Sequence, residues 1–125
     1  MSIDAAIERF RAEVPSFVST DVVNVGSGMS IGGGSIDPAF DATVASASYA
    51  EVVKSNRRAL ELLGLGADTT EDILITTERV YILIRMLGTQ YYHGLAIGRD
   101  GNLGLSRVIM KKYEAIFLRE LQALA

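Results

Sequence analysis

The chain has 125 residues, 49% of them apolar, a formal net charge of −3 and no cysteine. That is one domain's worth of chain, able to bury roughly two-thirds of its unfolded surface without covalent staples. The composition excludes disulfides, thiolate metal sites and cysteine nucleophiles. With no block of like charge, it also lacks the basic patch that nucleic acid demands.

The first residues alternate charge with apolar side chains and contain no hydrophobic signal core. The most apolar run, Val80 to Leu87, contains Arg85 and is too short to span a bilayer. The expectation is a cytoplasmic protein with no membrane partner. In chain order, Ile3, Ile7, Phe10 and Val14 recur at helical spacing among charged residues, which predicts an amphipathic helix ended by Pro15. Phe17 to Val25 is β-rich, Gly26-Ser27-Gly28 supplies a turn, and Met29 to Ile36 reads as a weaker return strand of a hairpin. Gly32-Gly33-Gly34 within it suits a sheet edge or a close backbone approach.

Asp37-Pro38 reads as a helix start, with Asp as N-cap and Pro in the first turn, and Gly64 and Gly66 stop the helix after Leu63. Tyr49, Val52, Val53, Leu60 and Leu63 form one stripe on it; Phe40, Val44 and Ala47 form a second, offset one. A helix with one buried face needs one stripe, so two predict contact with the sheet and with something else.

Three strand-like runs follow: Asp72 to Thr77, Val80 to Leu87 and Thr89 to Ile97. Their connections, Glu78-Arg79 and Gly88, are short enough to make the strands antiparallel. Val80 to Leu87 is apolar on both faces, so helices are expected on each side of the sheet. After Arg99-Asp100-Gly101, Asn102 caps a final helix over Leu103 to Leu124, with Leu105, Ile109, Ile116, Phe117 and Leu121 inward and Lys111, Lys112, Glu114, Arg119 and Glu120 toward solvent.

The order α-β-β-α-β-β-β-α, with Asn102-Leu103-Gly104-Leu105-Ser106-Arg107 opening the last helix, resembles the roadblock family of dynein light chains and bacterial GTPase regulators. Locally, Asn102 caps, Gly104 permits close approach of the first turn, Leu103 and Leu105 anchor it, and Arg107 either holds a carboxylate or carbonyl or is solvated. The resemblance implies an α+β fold: a five-stranded antiparallel sheet, the first and last helices on one face and the long helix on the other. It also implies a homodimer in which third strands pair edge to edge and long helices pack together. Ala45, Ser48, Tyr49, Val52, Asp72, Leu74 and Thr76 are then the expected interface. Small residues in the long helix fit that packing, and pairing would cover an apolar edge strand.

The remaining motifs argue against catalysis. Gly26-x-Gly28-x-x-x-Gly32 resembles a dinucleotide loop, but no helix begins at its glycines to face a pyrophosphate, and no Lys-Ser/Thr pair follows. His93, the one histidine, lacks partners for a metal site and reads as packing, with Tyr91 and Tyr92 as an aromatic sheet surface. Asp68-Thr69-Thr70-Glu71-Asp72 reads as a solvated strand entry. Arg79 and Arg85 read as half-solvated or paired, with Glu78 as a candidate partner, and not as an arginine finger. The expected function is a noncatalytic dimeric module that regulates or scaffolds a small Ras-like GTPase, with no cofactor and no metal. The alternative is a small-molecule sensing domain of profilin-like architecture, its cleft lined by the glycine-rich segment and Tyr91-Tyr92-His93.

Overall fold

A computed structural model describes residues 1–124. Its elements are α1 (Ile3–Glu13), β1 (Phe17–Asn24), β2 (Ser30–Ser35), a 3-10 turn (Ala42–Ala45), α2 (Ser46–Leu62), β3 (Asp72–Thr76), β4 (Val80–Leu87), β5 (Tyr91–Gly98) and α3 (Leu103–Ala123). All strand pairs are antiparallel, in the order β2-β1-β5-β4-β3, so β2 and β3 are the edges. Helices α1 and α3 pack on one face and α2 on the other, as the resemblance implied.

Local signals explain most boundaries. Ser2 caps α1 by accepting from the Ala5 N–H at 3.1 Å, and Asn102 caps α3 by accepting from Leu105 at 2.9 Å. Helix α2 closes in a Schellman arrangement. The Leu65 N–H reaches the Leu60 carbonyl at 2.9 Å and the Gly64 N–H reaches Glu61 at 3.0 Å, with Gly64 at φ 72°.

The start of α2 departs from the sequence reading. Asp37-Pro38 does not open a helix; the Phe40 N–H donates to the Asp37 carbonyl at 2.9 Å, closing a turn. Asp followed by Pro suits the first two positions of a type I turn as well as it suits a helix start. Helical geometry begins only where Asp41 accepts from the Thr43 N–H at 3.0 Å and hydroxyl at 2.7 Å. The second stripe therefore dissolves: Phe40 sits in the turn, Val44 in the 3-10 segment, and only Ala47 in α2, where it is exposed. Thr89 likewise belongs to a Gly88-Thr89-Gln90 turn, not to β5.

On α3 the buried line is Ser106, Ile109, Met110, Tyr113, Phe117 and Leu121. Leu105 lies one residue off that line and is 42% exposed, so it does not anchor the first turn as expected. Ile116 is half-buried.

The three glycines of β2 mark close approach on an edge strand. A Cβ at Gly32 would meet Ile7 and Asp4 of α1 at 3.0 Å, and one at Gly34 would meet the Arg11 guanidinium at 2.4 Å. Helix α1 lies directly over β2 because the strand has no side chains there.

Candidate functional site

Three places matter, of which two bear on binding; the first two were marked by sequence-predicted residues. The first is the interior of the α1/α3 face. His93 is fully buried there, edge-on to Phe10 at 4.5 Å and to Phe117 at 4.8 Å between ring centres. Its Nε2 lies 2.8 Å from the Thr20 hydroxyl, which donates onward to the Gly94 carbonyl at 2.7 Å. The hydroxyl proton is thus committed, so His93 donates from Nε2 and is the neutral tautomer with Nδ1 bare. Burial, aided by the nearby Arg85 charge, pushes its pKa down to about 3. It is a packing residue, as expected. Tyr91 shares its face, while Tyr92 points to the opposite one. Strand alternation therefore splits the expected aromatic surface, and with it the cleft of the sensing alternative.

The second place is the β3 edge. Arg107 grips Asp72 with two bonds, Nε to Oδ2 at 2.8 Å and an Nη to Oδ1 at 3.3 Å. This ties the edge strand to α3, so the family-like motif ends in a carboxylate clamp. Arg85 pairs with Glu114 at 3.1 Å, and Arg79 is exposed. Asp68, in the acidic run, pairs with Arg57 at 3.2 Å. Among the described residues, no cluster of histidine and carboxylate side chains has metal-site geometry.

Ala45, Ser48, Tyr49 and Val52 form one stripe along the start of α2, with Ser48 exposed and Val52 39% exposed. Ile73 and Ile75 of β3 face this side of the sheet and are only half-buried, as are Ile82 and Met86 of β4. Asp72, Leu74 and Thr76 alternate to the other side, where Leu74 is 39% exposed. The predicted interface residues thus lie on both sides of one open edge. Ile73 and Ile75, which sequence reasoning passed over, are the β3 residues that share the α2 face. The alternation of the strand held that information, but the sequence did not say which phase faced which helix.

The third place was not anticipated. Between the Asp37–Ala45 segment, the start of α2 and the middle of the sheet lies a pocket of about 260 Å³. Asp21 lines it and is only 3% exposed. Ser30 donates its hydroxyl to Asp21 Oδ1, while Oδ2 has no partner. Burial pushes this carboxyl up to about 6, against the pull of the Ser30 bond and with a further push from the Asp41 charge. Tyr92 crosses the same region and donates its hydroxyl to the Ser46 carbonyl at 3.1 Å.

Comparison with known proteins bears on the whole arrangement. No protein-family model and no curated protein matches the chain. Solved structures do. The chain superposes on Myxococcus xanthus MglB with a TM-score of 0.86 at 16% identity, over 98% of this chain and 90% of that one. A Roadblock/LC7 domain from Streptomyces avermitilis gives a TM-score of 0.79 at 14% identity, over 99% and 98%. A structure described as MglB with tetrameric arrangement gives 0.84 at 13% identity, over 97% and 88%. At such identities the likeness is one of backbone architecture, and on that ground the chain has the Roadblock/LC7 fold.

Proposed function

We propose that this chain is a noncatalytic cytoplasmic interaction module that works as a homodimer and regulates or scaffolds a small Ras-like GTPase. The observation that carries the reading is the unpartnered β3 edge beside a half-covered apolar sheet face. An exposed edge strand is a template for another chain, and proteins that stay soluble cover or pair it. A second copy, joined through β3 and the Ala45–Val52 stripe of α2, would do both. The tetrameric arrangement named for one MglB structure supports assembly among neighbours of this fold.

The GTPase enters through the family resemblance, and the chain's own arginines set how it would act. Arg85 and Arg107 are held by Glu114 and Asp72. The module is then read as positioning the partner's switch elements, with neither Arg85 nor Arg107 free to serve as a finger and Arg79 left exposed. No described helix is long and apolar enough to cross a membrane.

The test has two readouts. Sedimentation at micromolar concentration is expected to give a dimer. Titration against Ras-like GTPases of the source organism, loaded with GDP or a non-hydrolysable GTP analogue, is expected to show binding that depends on the nucleotide. A monomer that binds none of them in either state overturns the proposal.

A further inference from the structure

The pocket beneath the Asp37–Ala45 segment has a chemistry of its own, although it shares Ala45 and Tyr49 with the proposed dimer surface. Its walls are mostly apolar, with Phe40, Tyr49, Ile82, Ile84 and Tyr92 among them, and no lysine or arginine lines it. Its one deeply buried charged group is Asp21. On the two neighbouring strands the residues opposite Asp21 are Gly33 and Gly94. The directly opposite positions therefore place no side chain over the carboxylate; Ser30, farther along β2, reaches only its Oδ1, and Gly94 helps line the cavity. The second carboxylate of the wall, Asp41, already accepts two bonds from Thr43.

A carboxylate buried in such a place without a donor costs free energy unless it is protonated or paired. Among the described residues, none makes a hydrogen bond of good geometry to the second oxygen of Asp21. A largely apolar cavity with one convergent polar group is the usual construction of a small-molecule site, in which the polar group fixes orientation. The volume falls below the range typical of drug-sized ligands. A bare metal ion is disfavoured, because hard cations need several oxygen ligands and this wall offers one uncommitted carboxylate.

We propose that this pocket is a binding site for a small organic amine, its ammonium group paired with Asp21 and its apolar body packed against Tyr92, Ile82 and Ile84. The ammonium supplies the missing donor, and turning the Asp21 carboxylate toward it costs little, since the terminal torsion of aspartate is soft. Asp41 adds negative potential at the same end of the cavity.

The experiment uses the full chain and three probe amines: 2-phenylethylamine, cyclohexylamine and isoamylamine. 3-Phenylpropionate serves as the anionic control. Amide chemical shifts are followed by NMR during titration. At least one amine is expected to shift residues around Asp21, Gly94 and Ala45 saturably, and the anion is expected to shift none of them. Asp21→Asn keeps the volume and the Ser30 bond and is expected to weaken amine binding by about tenfold or more. Ala96→Leu fills the cavity and is expected to abolish binding while the rest of the spectrum stays dispersed. The proposal is overturned if no amine binds saturably, if 3-phenylpropionate binds equally well, or if Asp21→Asn binds as the parent does. Sedimentation of the same samples reads the dimer separately, so failure here leaves the reading of the β3 edge standing.

Discussion

The two faces of the sheet are built to different standards. On the α1/α3 face, Ile7, Phe10, Leu87, Ile97, Met110 and Phe117 are all at or near zero exposure and surround a neutral histidine. On the α2 face the buried cluster is smaller, built from Val23, Val25, Ala50, Val53, Ile84 and Tyr92, and a fringe of isoleucines and Met86 is half-covered. The first face carries two helices and closes on itself. The second carries one helix, a pocket and an open edge. Stability resides on the first, and the second is free to bind because it is incompletely packed.

That contrast can be broken most forcefully with pH. His93 has its folded pKa depressed to about 3, so the unfolded chain binds the extra proton and the folded state loses stability as pH falls below about 6.5. Across that window the loss is roughly 4–5 kcal/mol at ~1.4 kcal/mol per pH unit. Asp21 works in the opposite sense. Its folded pKa is raised to about 6, so the folded chain holds the extra proton and gains stability as pH falls from about 6 toward 4. Between pH 4 and 6 the two slopes oppose. Urea melts should therefore show a parent chain with a flatter profile than either variant. Asp21→Asn should lose stability steadily on acidification, whereas His93→Phe should gain it; parallel profiles for all three would refute the assignment.

Truncation should show the same asymmetry. Phe117→Ala, on the closed face, is expected to cost about 3–5 kcal/mol. Val53→Ala, on the α2 face, removes less buried surface and should cost about 1–2 kcal/mol. Equal losses would mean that the two faces do not differ as described. At pH 7.5, Asp21→Asn should raise stability by about 1–2 kcal/mol, because it removes an unpaired buried charge and keeps the Ser30 acceptor. A destabilised variant would show that the charge has a partner in solution.

The smaller effects concern association. Replacing Ser48 or Ala45 with arginine is expected to weaken the dimer by about tenfold or more, near 1.4 kcal/mol, with the monomer melt unchanged. An unaltered dimer by sedimentation would remove α2 from the interface. Arg107→Ala should cost about 1 kcal/mol, since its pair with Asp72 is half-exposed.

Much of this was legible in the sequence where the cause is local. The Ile3–Val14 periodicity, the Asn102 cap, the Gly64 stop and the two-sided apolar strand Val80–Leu87 depend on residues close in the chain, so the elements and their order could be read. Signals that serve two structures were not decided locally. Asp37-Pro38 fits a turn and a helix equally, and only the packing of the segment against the sheet chose the turn. Leu105 and Ser106 differ by one position around the helix, and which of them turns inward is set by how α3 lies on the sheet.

The tertiary structure alone decided the phases and the meetings. It sent Tyr92 to one face and His93 to the other, brought Arg107 to Asp72 and Arg85 to Glu114, and placed Asp21 between two glycines from different strands. Those pairs are separated by tens of residues and carry no spacing rule. Composition, caps and periodicity determined antiparallel strands with helices on both faces of a sheet. Register and helix placement, which are long-range packing choices, determined that one face would close and the other would stay open.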